Sequence, residues 1–262
     1  MPWWTVAPNC RRSFLTAYLQ TGVNSLETEL GRARDLSVGE LAEAIESIGF
    51  SCTQCGACCR ADGCGDGEHT EESLEENAHT DESSTEDAHT ATVFPDEVRA
   101  LQARGEYDWR DVARPMPYGL DEAGNGETFE WALQTDACGD CTFYDAAREV
   151  CGVYEDRPLV CQTYPFSVAL GGTTQPMGEA VDAAGMVRAH ECEGLGREIS
   201  PKDATELARA LKTRAVRELE EAIAVRDRYH PRPEEAQSNA VVYDSEGPKH
   251  PDGTPLDNAD PK

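Results

Sequence analysis

Positive charge, and lysine above all, is scarce in this sequence. Its 262 residues include 23 Lys plus Arg against 50 Asp plus Glu, only four of the basic residues are lysines, and the formal net charge is -27. A surface this acidic repels phosphate backbones and anionic lipids, which argues against nucleic acid and membrane partners. It also repels itself unless counterions screen it. The combination of many acids and few lysines is typical of proteins from extreme halophiles.

Long apolar runs are absent as well. No stretch of about 18 apolar residues occurs, so we expect no transmembrane helix. The N-terminal segment MPWWTVAPNCRRSFLTAYLQ lacks a signal-peptide core, and its arginines follow the apolar residues instead of preceding them. We therefore expect a cytoplasmic protein. In that compartment thiols stay reduced, and clustered cysteines are metal ligands or redox groups more often than disulfides.

The motifs of common enzyme classes are missing too. No glycine-rich phosphate loop follows a predicted strand, and no G-x-S-x-G nucleophile elbow occurs. Catalytic carboxylates cannot be distinguished among fifty acidic residues. The sequence therefore indicates neither a catalytic residue nor a substrate.

Cysteine is what the sequence has in excess, and eight of its eleven cysteines form two groups. The first group lies in the run CTQCGACC, and the second follows at open spacings. The eight candidate metal ligands are Cys52, Cys55, Cys58, Cys59, Cys141, Cys151, Cys161 and Cys192. The C-x2-C-x2-C spacing brings three thiolates to one centre, as in bacterial ferredoxins with a [4Fe-4S] cluster. The second group is too widely spaced for a zinc knuckle, so tertiary folding must bring its members together.

The adjacent pair Cys58 and Cys59 raises the question of how many sites there are. Adjacent cysteines seldom both face one small ion, so the pair suggests two metals, or one metal and a spare thiol. Two further donors could replace a ligand, since Cys138 lies three residues before the second group and His190 lies two residues before its last member. We also expect residues 164–166 to wall the site.

Local patterns predict an α+β fold, a small helix-rich and loop-rich domain organised around the cysteine cluster. Capping residues predict helices after Ser25, after Ser37 and around Pro95, and a long C-terminal helix after Ser200. Alternating apolar residues predict half-buried strands over 129–133 and 166–170. We expect only a few short strands.

Composition divides the chain into four parts. We predict an N-terminal extension over 1–23, a metal-binding domain over 24–230, and a disordered tail over 231–262. An acidic insertion at 62–91 interrupts the domain, with a ten-residue repeat that places His69, His79 and His89 at equivalent positions. It has almost no apolar side chains to bury, so we expect it to be disordered. Alternatively, its histidines and carboxylates could gather metal ions weakly.

The cysteine motifs carry a family resemblance. The runs CTQCGACC, CTFYDAAREVCGVYEDRPLVCQTYPF and HECEGLG resemble those of the YkgJ-type cysteine-cluster family, whose CxxCxxCC domain is described as zinc- or iron-chelating. The resemblance covers roughly residues 24–229 without the insertion. It implies that the eight cysteines hold metal. Members of the family are often labelled iron-sulfur oxidoreductases, and a related cluster accompanies flagellin lysine methylases.

Three functions follow as alternatives. The first is an iron-sulfur protein, with a [4Fe-4S] cluster favoured, that transfers electrons to an unknown redox protein partner. The second is a structural zinc module without catalysis. The third is a cluster-dependent protein-modifying enzyme of the methylase type. The ferredoxin-like spacing and the all-cysteine ligand set favour the first. In each case the metal-free protein should be less ordered, because metal-binding free energy is also folding free energy.

Overall fold

The fold is mixed α+β, as expected, with short strands in small sheets and a long helix near the C-terminus. The computed structural model describes residues 25–61, 90–170, 180–182, 185–232 and 239–256. The expected extension 1–23 and nearly all of the expected insertion 62–91 lie outside these residues. None of the helices in the described ranges is long and apolar enough to cross a membrane.

The elements follow one another in a mixed order along the chain. The helices are α1 (Leu26–Asp35), α2 (Val38–Ile48), α3 (Pro95–Gln102), α4 (Trp109–Val112), α5 (Leu159–Thr163) and α6 (Pro201–Arg228), with 3-10 turns at Ala57–Cys59 and Tyr154–Asp156. The strands are β1 (Thr92–Val93), β2 (Ala113–Pro115), β3 (Gly126–Thr128), β4 (Trp131–Leu133), β5 (Tyr144–Asp145), β6 (Val150–Cys151), β7 (Phe166–Val168), β8 (Ala180–Asp182), β9 (Val187–His190), β10 (Ala240–Asp244) and β11 (Gly247–Lys249).

The long helices begin where the capping residues predict. At the start of α1 the Ser25 hydroxyl accepts a hydrogen bond from the N–H of Thr28. At the start of α2 the Ser37 hydroxyl accepts one from the N–H of Glu40. Gly49 ends α2 with a φ of +78°, a conformation that glycine adopts without strain. Ser200 caps α6 in the same way as the first two serines. These predictions are confirmed because caps depend on a few neighbouring residues.

A helical core lies on one side of the molecule. Helices α1 and α2 pack on α6, and the antiparallel sheet β7-β9-β8 lies against this group. Ile45, Phe166 and Leu211 are almost completely buried there. Alanines on the inner face of α6, such as Ala208, let the neighbouring elements approach closely. The amphipathic faces seen in the sequence therefore meet in one apolar layer.

A second core surrounds the antiparallel sheet β1-β4-β2. Val98 on α3, Trp109 on α4 and Leu133 on β4 pack together there with Cys59 and Cys141. All three residues of β4 are buried, whereas alternation predicted a half-buried strand. The difference arises because residues distant in sequence, including Val98, Trp109 and the C-terminal Val242, pack into this core. Two of the predicted metal ligands thus belong to a hydrophobic core.

The predicted disordered tail over 231–262 is wrong for residues 239–256. Strand β10 pairs in parallel with β3 and antiparallel with β11, forming a three-stranded sheet. Val241, Val242 and Tyr243 are buried. The apolar run AVVYD is short, and its polar, proline-rich flanks dominate the local composition, so composition alone predicts disorder here. Its partner strand lies more than 100 residues earlier, where local composition gives no information about it.

Candidate metal centre

The CTQCGACC run forms a tight loop that buries Cys59 in the second core. Two residues in it adopt the left-handed conformation, Gln54 with a φ of 59° and Gly56 with a φ of 73°. The loop ends in the 3-10 turn Ala57–Cys59. A side chain at Gly56 would place its Cβ 2.3 Å from Cε2 of Tyr144. The glycine is therefore required both by the turn and by the close approach of that ring.

Three different local structures bring the later cysteines to this loop. The backbone N–H of Cys141 donates to the carbonyl of Cys59 at 2.8 Å, which fixes Cys141 directly on the loop. Cys151 lies on β6 and pairs with Tyr144 on β5. Cys161 lies on the short helix α5. Tertiary folding thus assembles the second group, as its spacing predicts.

Six of the eight candidate ligands line one cavity of about 40 Å³. The six are Cys52, Cys58, Cys59, Cys141, Cys151 and Cys161. Apolar side chains, including Leu133, Phe143 and Val153, form most of the remaining wall, and Arg157 adds a cationic group. Cys52 and Cys58 are exposed whereas Cys59 and Cys141 are buried, so the cavity reaches from the surface into the second core.

The other two candidates, Cys55 and Cys192, lie beside this cavity. The Ser51 N–H donates to the Gly194 carbonyl at 3.0 Å, which docks the segment of Cys192 onto the start of the cysteine loop. A Cβ at Gly194 would lie 2.6 Å from the Ser51 carbonyl oxygen, so this contact requires glycine. Burial raises the pKa of the Cys192 thiol, and the neighbouring thiolate of Cys55 raises it further. All eight candidates therefore share one neighbourhood.

Hydrogen bonds between sulfurs organise the cavity. The Cys59 thiol has one proton, which it donates either to the sulfur of Cys151 or to that of Cys58, and this hydrogen bond holds its own pKa far above the usual range. Accepting this bond lowers the pKa of Cys58 to about 7 and that of Cys151 to about 6. Burial raises the pKa of Cys141 to about 11 and raises that of Cys161 as well. The group is thus a mixture of thiols and thiolate-prone sulfurs.

The donor chemistry fits zinc or iron, although the sulfurs do not stand in a coordination geometry. In the described ranges, no group of three or more Cys, His, Asp or Glu side chains is arranged so that it could hold a metal ion. The sulfurs bond to one another through protons that a metal would displace. No carboxylate or imidazole lines the cavity among the described residues, and soft thiolate donors select zinc, copper(I) and iron-sulfur centres. Binding therefore requires the cysteine side chains to reorient.

Comparison with known proteins agrees with this donor set. A family model described as "CxxCxxCC: Putative zinc- or iron-chelating domain" matches residues 51–193, more than half of the chain. The chain belongs to the CxxCxxCC family. The resemblance drawn from the cysteine motifs is confirmed. No curated protein and no solved structure matches the chain.

The CxxCxxCC match contains all eight candidate ligands and leaves out most of the helical core. It begins after α2 and ends before α6, so these two helices lie outside the matched residues. The family description supports zinc or iron chelation. It does not distinguish between the two metals, and it names no activity.

Other residues considered as ligands lie away from the cavity. Cys138 is exposed in the turn before Cys141 and is not among the lining residues. His190 is buried, and its Nε2 lies 2.8 Å from the Ser167 hydroxyl. Cys10 and Cys64 lie outside the described residues, as do the three repeat histidines. Among the described residues, the cavity of this CxxCxxCC domain is therefore lined by no additional cysteine or histidine.

The expected wall of residues 164–166 is only partly correct. Phe166 is buried in the helical core, and none of the three residues lines the cavity. Tyr164 lies on the side of Cys192, where burial and then the thiolate of Cys192 raise the pKa of the tyrosine to about 12. Sequence reasoning missed Tyr154, which lines the cavity from the Tyr154–Asp156 turn. The signal for it was its position three residues before Arg157.

Proposed function

We propose that this chain binds its metal through the eight cysteines and that the metal is an iron-sulfur centre with a redox role. The observation that carries the proposal is the cavity lined by six cysteines from four separate segments, with Cys55 and Cys192 beside it. An all-thiolate donor set in an apolar wall suits a soft metal centre. The family description supports zinc or iron in general.

Two features favour iron-sulfur over a single ion. The left-handed residues Gln54 and Gly56 give the C-x2-C-x2-C loop the tight turns with which such loops surround a cluster. Cys52 and Cys58 are exposed at the mouth of the cavity, which supports a centre near the surface. An iron-sulfur cluster would supply one-electron transfer, and a position near the surface would shorten the path to a redox protein partner.

A structural zinc module is the second candidate, and the position of the cysteines supports it. Cys59 and Cys141 belong to the second core, whereas Cys192 packs against the helical core. Metal bound across this boundary would join the two cores and contribute directly to folding. Eight thiols also equal the ligands of two closed tetrahedral zinc sites.

Anaerobic purification with metal analysis separates the two candidates. We expect brown protein with visible absorption, iron, and acid-labile sulfide. Colourless protein with zinc as the stoichiometric metal would replace the redox proposal with the structural one. Protein that binds neither metal, with reduced thiols, would overturn both.

Single substitutions then test the ligand set. Cys55→Ala and Cys161→Ala remove one thiol beside the cavity and one that lines it. Loss of about half of the metal from each variant indicates two sites, and complete loss from either indicates a shared one. Cys138→Ala is the matched control, because this exposed cysteine lies outside the cavity and its loss should leave the metal content unchanged.

A further inference from the structure

Among the described residues that line the cysteine cavity of the candidate metal centre, Arg157 is the one with a cationic side chain. Its Nε donates to the Tyr154 carbonyl at 2.9 Å, and its guanidinium carbon lies 3.7 Å from the centroid of the Tyr154 ring. The adjoining Pro158 leads directly into α5, which carries Cys161. Backbone and ring together therefore hold the guanidinium at the cavity in one orientation.

The surroundings of Arg157 differ from those of most other arginines in this acidic chain. Arg99, Arg104 and Arg217 each form an ion pair with a carboxylate. Within the described ranges, Arg157 has no carboxylate within ion-pair distance, although acids outnumber bases twofold in the sequence. Even the adjacent Asp156 pairs with Arg104 instead. No carboxylate lines the cavity among the described residues, and its cysteine sulfurs become anionic when they bind metal.

The charge of Arg157 reaches several sulfurs. Its guanidinium lines the same cavity as Cys58, Cys151 and Cys161, which come from three different segments. Four thiolates around a divalent metal carry a net negative charge. In an apolar wall and within a chain of net charge -27, that charge is costly unless a cation lies close by.

We propose that Arg157 is the counter-ion of the thiolate centre, a positioning residue that raises metal affinity by offsetting the negative charge of the bound thiolates. This inference rests on the proposed metal binding, and it holds for either metal.

Three variants test the proposal in the full chain. Arg157→Gln removes the charge, and Arg157→Lys keeps the charge but loses the planar stack on Tyr154. Arg148→Gln removes the same charge from the exposed turn between β5 and β6, and so controls for the net charge. The measurement is zinc affinity, by competition with a chromophoric chelator under anaerobic conditions.

We expect Arg157→Gln to weaken zinc binding by about 10- to 100-fold, which is the usual effect of removing a group that supports metal ligands. Arg157→Lys should recover most of this loss, and Arg148→Gln should bind as the wild type does. Equal affinity of Arg157→Gln and Arg148→Gln would overturn the proposal. So would an Arg157→Lys variant as weak as Arg157→Gln, because that result assigns Arg157 a purely structural role. Wild-type protein that binds no zinc or iron would instead refute the proposed function.

Discussion

At the residue scale, the conformation of the cysteine loop depends on one glycine. Gly56 adopts a φ of 73°, and the ring of Tyr144 occupies the space where a side chain would go. Tyr144 also pairs with Cys151 across β5 and β6. A side chain at position 56 would therefore disturb both cysteine groups at once.

Gly56→Ala should reduce the free energy of unfolding by about 2 to 4 kcal/mol, from backbone strain and steric overlap together. We also expect it to lower the metal content, since the loop can no longer direct its thiols into the cavity. The measurements are urea denaturation and metal analysis of the purified variant.

Gly39→Ala in α2 is the matched control, because a Cβ added there would have the Ser37 Oγ as its nearest neighbour, at 3.7 Å. That change should be neutral or slightly stabilising, and equal losses in both variants would contradict the role of Gly56.

At the scale of elements, two contacts link distant segments to the cavity. The Glu97 carboxylate accepts the N–H of Phe94 at 3.0 Å and that of Leu159 at 2.9 Å. It thus joins the first turn of α3 to the first turn of α5, which carries Cys161. Burial raises the pKa of Glu97, which shows that the charge costs free energy that these two bonds must offset.

Glu97→Gln should destabilise the protein by about 1 to 3 kcal/mol. The amide offers one oxygen where the carboxylate offered two, so one partly buried backbone N–H loses its acceptor. We further expect faster release of metal to a chelator, because α5 is held less firmly. The neighbouring Asp96→Asn is the control, since it removes only the exposed pair with Arg217 and should cost less than about 1 kcal/mol. If both variants release metal at the wild-type rate, Glu97 does not support the centre.

The second link joins the C-terminal hairpin to the second core. Lys249 on β11 lies 2.8 Å from the Asp244 carboxylate on β10, and both side chains are at most 5% exposed. The same carboxylate accepts the indole N–H of Trp131 on β4 at 2.9 Å. The hairpin is thereby attached to the sheet that packs beside the cysteines.

Lys249→Met should destabilise the protein by about 3 to 5 kcal/mol, because it leaves Asp244 buried without its cation. Thermal or urea denaturation measures the loss. The double variant Lys249→Met with Asp244→Asn should recover part of it, since the buried charge is then gone and the amide oxygen still accepts from Trp131, although the amide group can no longer accept the Glu246 N–H as well. A double variant as unstable as the single one would contradict this account.

At the scale of the whole molecule, the net charge of -27 dominates. Ion pairs such as Arg34 with Glu220 are exposed, and pairs of this kind contribute little. Acids outnumber bases twofold, so more than half of the carboxylates have no basic residue of their own to pair with. The folded state therefore carries a repulsion that salt can screen.

We expect the melting temperature of the metal-loaded protein to rise with KCl, and to rise most steeply below about 1 M, where the screening length falls to about 3 Å. Calorimetry over a series of KCl concentrations measures this dependence. A melting temperature that does not change with KCl below that concentration would contradict the account. A continued linear rise above it would instead indicate a salt effect other than charge screening.

The sequence by itself determined the local features of this protein and the chemistry of its donors. Helix starts at Ser25, Ser37 and Ser200 are visible because a cap involves residues three apart. The eight cysteines identified the family, since thiol chemistry and spacing are properties of the chain.

Only the tertiary structure decided which of these groups meet. It placed six cysteines around one cavity with Arg157 among them, and it showed that Cys58 and Cys59 share that cavity although adjacent cysteines seldom face one ion. It also turned residues 240–244 from a predicted tail into a buried strand, because their partner lies on β3. The physical reason is the same throughout: burial, pairing and charge proximity depend on residues distant along the chain, which no local pattern contains.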